Sequence, residues 1–79
     1  MDLTIDCRDG LAAIHEQLAA ELAFPQWYGK NLDALHDCLT DLSQHVTFTL
    51  HYPELLPGLV RVLTGSAAEN PNLTVILAQ

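Results

Sequence analysis

Hydrophobic positions along the chain follow two patterns, short continuous runs and repeats every three to four residues. The continuous runs are typical of buried strands and predict three of them, at residues 3–5, 46–50 and 73–77. Four apolar residues between the first two runs share one face of a predicted helix: Leu11, Ile14, Leu18 and Leu22. We expect Asp9-Gly10 to cap this helix and Pro25 to lie beyond its end.

A second helix is predicted to begin at Asn31, a residue type that caps helix N-termini. Four leucines then repeat at the spacing of a stripe that packs on a core: Leu32, Leu35, Leu39 and Leu42. A third helix is predicted from Pro57 to about residue 68, because proline is tolerated in a first helical turn. Pro53 and Pro57 frame the turn before it, and Asn70-Pro71-Asn72 forms the turn after it.

The predicted element order is β-α-α-β-α-β, with helices between apolar strands. This order favours an α/β fold, a small three-stranded parallel sheet with right-handed crossovers, packed with about three helices. We expect residues 1–79 to form one domain, because no repeat, low-complexity tract or linker divides them. With 49% hydrophobic residues, the chain can form a core without disulfides or a structural metal.

Acidic residues outnumber basic ones by ten to three, which gives a formal charge of −7 at pH 7. Binding nucleic acid requires a basic face to neutralise phosphates. The three cations, Arg8, Lys30 and Arg61, are too few and too scattered to form one, so we expect no direct nucleic-acid ligand. The acidity suits a basic protein partner, whose opposite field would speed encounter. Composition alone also fits a protein that is merely kept soluble by its charge.

The cysteines predict a reducing environment. Cys7 and Cys38 form neither a closely spaced pair nor the dense framework of a secreted domain, so we expect two reduced thiols. The first residues lack the basic segment and apolar run of a secretion signal. No apolar stretch approaches the roughly 18 residues of a membrane span. These features predict a cytoplasmic protein without a membrane association.

The second predicted helix carries an acidic edge. At about 100° per residue, Asp33, Asp37 and Asp41 project opposite the leucine stripe. Like charges four residues apart are mildly unfavourable to a helix on its own. The edge is therefore either an ordinary solvated face or a surface that meets a cationic partner.

An aromatic pair lies in the predicted loop directly before this helix. Trp27 and Tyr28 are followed by Gly29, where the backbone can approach another surface closely. Aromatics beside carboxylates are typical of interface hot spots. The alternative is that both rings cover the end of the hydrophobic core.

The sequence does not predict catalysis or metal binding. On the second helix, Cys38 projects near 240° and His36 near 40°, so the two do not face each other as a thiol–imidazole pair would. The four histidines show no metal-ligand spacing. Asp33 and Asp37 lie on an exposed edge, without the desolvation that would separate an acid from a base. We expect no enzymatic activity, no cofactor and no metal.

The run LAFPQWYGKNLDALHDCLT, residues 22–40, resembles the signature of the barstar family of ribonuclease inhibitors. Its densest part, YGxNLDALxDCL, matches at every specified position from Tyr28 to Leu39. The final LTVIL run and the element order also resemble the family, so the similarity covers nearly the whole chain. The resemblance implies a barstar-like fold. It also implies a helix and loop that enter the active site of a guanyl-specific ribonuclease, with aspartates in place of substrate phosphates.

The resemblance assigns roles position by position. Asp37 matches the family's dominant phosphate-mimicking aspartate, Asp33 a second aspartate, and Trp27 an aromatic that packs on the enzyme's catalytic histidine. Gly29, Asn31, His36 and Thr40 match other contact positions. With Tyr28 of the loop and Asp41 of the acidic edge, the predicted partner-binding residues are Trp27, Tyr28, Gly29, Asn31, Asp33, His36, Asp37, Thr40 and Asp41.

Two departures from the family pattern bear on the partner. His36 replaces the usual tryptophan, and a shorter later segment leaves the family's later glutamate without a counterpart, with Gly65 at the nearest position and Glu69 as the nearest acid. One hypothesis is an immunity or self-protection protein that inhibits a basic extracellular-type ribonuclease or related nuclease toxin one to one, as in a toxin–antitoxin pair. The other is a barstar-like scaffold that binds a different toxin or a regulatory protein.

Overall fold

Three parallel strands form the sheet at the centre of this protein. A computed structural model describes residues 1–78 and contains β1 (Asp2–Asp6), β2 (Val46–His51) and β3 (Leu73–Leu77). Strand β2 lies in the middle and pairs in parallel with both neighbours. In β2, Phe48 and Leu50 are fully buried whereas Thr47 and Thr49 are half-buried. This alternation gives the sheet one inner face, as expected for a side-chain period of two residues.

Three helices connect and cover the strands. They are α1 (Leu11–Glu21), α2 (Leu32–Thr40) and α3 (Pro57–Glu69), with short 3₁₀ turns at Cys7–Asp9 and Pro53–Leu55. The resulting order confirms the predicted β-α-α-β-α-β arrangement and its small parallel sheet. Proline at the start of α3 fits its preference for the first helical turn.

The core lies between the helices and the inner face of the sheet. Each helix contributes two fully buried apolar side chains: Ile14 and Leu18, Leu35 and Leu39, Leu59 and Leu63. Burial of one such side chain stabilises the fold by about 1.5–3 kcal/mol relative to exposure. Because Leu35 and Leu39 must face this core, the opposite edge of α2 is turned to solvent.

The start of α1 differs from the prediction. Gly10 is the N-cap, with a φ of 87° that glycine adopts without steric cost, and no side chain caps the helix. Asp9 belongs instead to the 3₁₀ turn Cys7–Asp9. The predicted Asp9-Gly10 cap is therefore confirmed at Gly10 and wrong at Asp9, because the chain makes a short turn of its own before α1 begins.

Both cysteines are buried and unpaired, with exposed fractions of 2% for Cys7 and 8% for Cys38. The prediction that they are free thiols is confirmed. Within residues 1–78, no group of three or more potential metal ligands comes together. In the same part of the chain, the helices are all too short or too polar to cross a bilayer.

Candidate functional site

The N-terminus of α2 is fixed by Asn31. Its backbone is extended, and its Oδ1 atom accepts a hydrogen bond of 2.8 Å from the backbone N–H of Ala34. A side chain at this position satisfies one of the donors that a helix N-terminus leaves unpaired. A helix of nine residues is marginal on its own, so α2 depends on such caps and on packing.

The C-terminus of α2 is held by Asn70, which follows α3 in the chain. Its buried side chain donates 2.9 Å hydrogen bonds to the carbonyl oxygens of Leu39 and Leu42. These carbonyls lie at the end of α2, where helical partners are missing. Sequence reasoning interpreted Asn70 only as part of a turn, because nothing in the local pattern indicates a partner some 30 residues away.

The acidic edge of α2 lies in solvent as the leucine spacing predicted. Asp33, Asp37 and Asp41 are all exposed, with Asp37 at 80% side-chain exposure. Asp41 lies just beyond the last helical residue, as the C-cap. Within residues 1–78, the Lys and Arg ion pairs are Arg8 with Asp6 and Lys30 with Glu16, so no Lys or Arg of the described chain neutralises the edge.

The two loop aromatics point in opposite directions. Trp27 is 75% exposed, whereas Tyr28 is only 6% exposed and packs against Phe24 with ring centroids 4.9 Å apart. The Tyr28 hydroxyl shares a hydrogen bond with Nδ1 of His15, which is itself buried. Burial raises the pKa of Tyr28 to about 12 and lowers the pKa of His15. The side chain of Tyr28 therefore supports the loop from inside, and only its backbone remains near the predicted surface.

Both ends of this loop have unusual backbone conformations. Ala23 and Lys30 each have a φ of 53°, in the left-handed region that non-glycine residues rarely adopt. At Gly29 an added Cβ would lie 3.0 Å from Nδ2 of Asn31, so the chain makes a close turn there. Strained residues of this kind are commonly found at functional sites, where the surrounding contacts maintain them.

Comparison with a protein-family model places the chain in a family. The family model described as Barstar (barnase inhibitor) matches residues 2–68, which is most of the chain. The protein belongs to the barstar family. A protein of Bacillus subtilis (strain 168), named "Putative ribonuclease inhibitor YrdF", is 50% identical over 40 residues. That match covers 48% of this chain and 44% of the relative, so the chain spans less than half of the relative's length.

His36, one of the predicted contact residues, connects α2 to the end of α3. Its Nε2 lies 2.6 Å from Oε2 of Glu69, and its Nδ1 lies 3.9 Å from Oδ1 of Asp37. A carboxylate can only accept, so His36 donates its Nε2 proton to Glu69. Glu69, the nearest later acid in the sequence, thus lies beside the α2 acids. Sequence spacing could not place it there, because the contact joins residues on different helices.

Thr40 occupies a less accessible position than the other predicted contact residues. It is half-buried, and its Oγ1 donates to the carbonyl oxygens of His36 and Asp37 at 3.0 Å and 3.1 Å. Among the predicted contact residues, His36 and Thr40 are half-buried and Tyr28 is buried with its ring facing inward. The others are exposed: Trp27, Gly29, Asn31, Asp33, Asp37 and Asp41.

The surface is suited to binding rather than to nucleophilic chemistry. Cys38 is its nearest thiol, and burial, together with the neighbouring carboxylates of Asp37 and Asp41, raises the pKa of this thiol. A raised pKa disfavours the thiolate, which is the nucleophilic form. What the surface offers instead is an array of exposed carboxylates beside one exposed indole.

Proposed function

We propose that this protein inhibits a basic microbial ribonuclease by binding it one to one and covering its active site with α2 and the loop before it. The observation that carries the proposal is the acidic edge of α2, which is exposed and unpaired with any lysine or arginine of residues 1–78. Family membership and the name of the Bacillus subtilis relative support the same function. The protein itself performs no catalysis in this proposal.

The carboxylates of Asp33 and Asp37 serve as substitutes for substrate phosphates. They lie one helical turn apart, on a helix fixed at both ends by Asn31 and Asn70. A ribonuclease active site carries cations that bind phosphates, and carboxylates accept hydrogen bonds from those cations in the same way. Because α2 is already held in place, it loses little conformational entropy on binding.

Trp27 supplies the apolar part of the contact. An indole that is 75% exposed on a folded protein loses a large apolar area when a partner covers it. Tryptophan is among the residues enriched at interface hot spots. In the proposed complex, Trp27 packs against the enzyme's catalytic histidine, while His36 and Glu69 extend the contact to the end of α3.

Asp37→Ala tests the proposal in an inhibition titration. The activity of a set of small basic guanyl-specific ribonucleases, including barnase, is measured against increasing amounts of wild-type or variant protein. Loss of a buried charge partner costs about 2–5 kcal/mol, a range for which barnase with barstar is itself one of the measured systems. We therefore expect inhibition by the wild type with one-to-one stoichiometry, and at least about thirtyfold weaker binding by the variant.

Asp2→Ala is the matched control, because it removes one exposed aspartate of β1 outside the proposed surface. It should inhibit as the wild type does. Failure of the wild type to inhibit any member of the set would overturn the proposed function. Equal inhibition by the wild type and Asp37→Ala would overturn the role given to Asp37.

The biological setting that we propose is self-protection. An inhibitor held in the cytoplasm would neutralise a ribonuclease that its own cell makes for export, or a related nuclease toxin, as the immunity member of a toxin–antitoxin-like pair. Two free buried thiols are compatible with a reducing compartment. Genetic deletion of the inhibitor in its host should be tolerated only when the nuclease gene is also removed.

One observation favours a second candidate function, in which the barstar scaffold binds a different toxin or a regulatory protein. The His36–Glu69 pair lies between α2 and the end of α3, and His36 stands at the position where the family has a tryptophan. It replaces an apolar contact with a charged one and so changes which partner fits. Co-purification from the native host separates the two functions, since recovery of a non-nuclease partner alone would favour the second.

A further inference from the structure

A small cleft lies between the Trp27 loop and the C-terminal end of α2. Its volume is about 180 Å³, below the roughly 300–1,000 Å³ of pockets that hold small-molecule ligands. The apolar walls come from Leu22, Phe24, Pro25 and Leu42, with Trp27 and Asp41 also lining it. A cleft of this size accommodates one side chain of another protein better than it accommodates a cofactor.

The chemistry of the cleft is divided between apolar walls and a single carboxylate. Apolar walls suit the methylene stem of a long side chain, and the carboxylate of Asp41 suits a cationic head. The exposed indole of Trp27 provides a face on which a flat cation can stack. Arginine combines a methylene stem, a planar head and a permanent charge, whereas the ammonium of lysine is compact and strongly hydrated.

We propose that this cleft receives an arginine side chain of the bound protein, stacked on Trp27 and paired with Asp41. The inference rests on the proposed function for the presence of a basic partner, and adds a second anchor beside the Asp33–Asp37 pair. It also assigns a specific role to Asp41, which the helix-edge pattern alone grouped with the other acids.

Charge complementarity supports a cationic occupant. The chain carries a formal charge of −7, and the ion pairs of its own lysines and arginines within residues 1–78 lie at Glu16 and Asp6, outside the cleft. The thiol of Cys38 also lines the cleft, and its pKa is raised by burial and by Asp37 and Asp41. Those carboxylates therefore impose a negative potential on the cleft, which disfavours an acidic or phosphorylated occupant.

The test uses a blocked Gly-Arg-Gly tripeptide as the probe, without any nuclease. The protein has one tryptophan, so the indole N–H resonance of Trp27 reports directly on the cleft. The probe is added up to about 50 mM, because a single side chain is expected to bind in the millimolar range. We expect a saturable shift of this resonance with the arginine peptide, and none with the peptide that has neutral, isosteric citrulline.

Asp41→Asn keeps the shape of the side chain and removes its charge, so it should weaken peptide binding by up to about fivefold. Asp2→Asn removes the same charge from the start of β1 and should bind as the wild type does. Equal shifts with arginine and citrulline peptides, or equal affinities of Asp41→Asn and Asp2→Asn, would overturn the proposal.

A second arm keeps this inference distinguishable from the proposed function. Asp41→Asn and Asp2→Asn are compared in the ribonuclease titration described above. Weaker inhibition by Asp41→Asn alone supports the arginine anchor. Inhibition that depends on Asp37 but is unchanged by Asp41→Asn overturns the anchor and leaves the proposed function standing, whereas absence of inhibition by the wild type overturns the proposed function.

Discussion

The buried hydrogen bond between His15 and Tyr28 joins α1 to the loop that carries Trp27. Both side chains are at least nine-tenths buried, so neither exchanges its partner for water without a cost. Burial favours the neutral imidazole and lowers the pKa of His15 below its ordinary value of 6.5. One residue thus links the stability of the loop to pH.

This link predicts a loss of stability on mild acidification. In the unfolded chain His15 takes up a proton near pH 6.5, whereas the folded state resists it, so its stabilising contribution is present above that pH and declines as the pH falls. The free energy of unfolding, measured with urea between pH 8 and pH 5, should fall more steeply for the wild type than for His15→Gln. Parallel slopes for the two proteins would contradict this role of His15.

Another titrating group responds in a different pH range. Asp6 accepts hydrogen bonds from Arg8, which lower the pKa of this carboxyl to about 2. Its contribution is present above the ordinary value of 3.8 and is lost only as the pH falls towards about 2. The interval from pH 8 to pH 5 therefore lies above the range in which Asp6 loses its contribution, and the comparison with His15→Gln isolates the contribution of His15.

At the scale of elements, α2 is positioned by contacts from both directions along the chain. Asn31 caps its start, and Asn70, after α3, binds the carbonyls of Leu39 and Leu42 at its end. Position and orientation of the acidic edge thus depend on α3 as well as on α2.

Asn70→Ala should destabilise the protein by about 1–3 kcal/mol, because it removes the buried side-chain donor that the carbonyl oxygens of Leu39 and Leu42 share at the end of α2. Urea unfolding followed by circular dichroism measures the change. Asn72→Ala is the matched control, since the Asn72 side chain donates one longer bond, of 3.2 Å to Leu42, and should cost less. An equal or smaller effect of Asn70→Ala would show that Asn70 does not hold the helix.

The elements were predictable from sequence to the extent that their signals are local. Leucine spacing determined which edge of α2 faces the core, and Asn31 marked its start correctly, because both depend only on neighbouring residues. The directions of Trp27 and Tyr28 were left open, since the partner of Tyr28 lies on α1. The same holds for Glu69, whose position beside His36 depends on how α2 and α3 pack.

The left-handed conformations at Ala23 and Lys30 also lay beyond sequence reasoning. Neither residue type prefers a positive φ, so no local signal indicates one. They arise because the chain must leave α1, expose Trp27, bury Tyr28 and enter α2 within a few residues. Strain of this kind is set by the whole fold.

At the scale of the whole molecule, negative charge and a prearranged helix act together. In the proposed function, the charge of −7 attracts a basic partner over about 8 Å at physiological ionic strength, and the exposed carboxylates of α2 then make direct contact. Residues of α1, α2, α3 and the sheet share one core, so the position of the acidic edge of α2 depends on the packing of all of them. In the proposed complex, α2 occupies the place of substrate phosphates.

Competition with a nucleotide tests that claim most directly. The affinity of the protein for barnase is measured by titration calorimetry in increasing concentrations of guanosine 3′-monophosphate, which fills the enzyme's phosphate and base sites. If α2 occupies those sites, the apparent dissociation constant rises in proportion to the nucleotide concentration once the nucleotide is in excess. An apparent dissociation constant that does not change with the nucleotide concentration would contradict this position of α2; if barnase is not bound, the same measurement is made with the ribonuclease of the set that the protein inhibits.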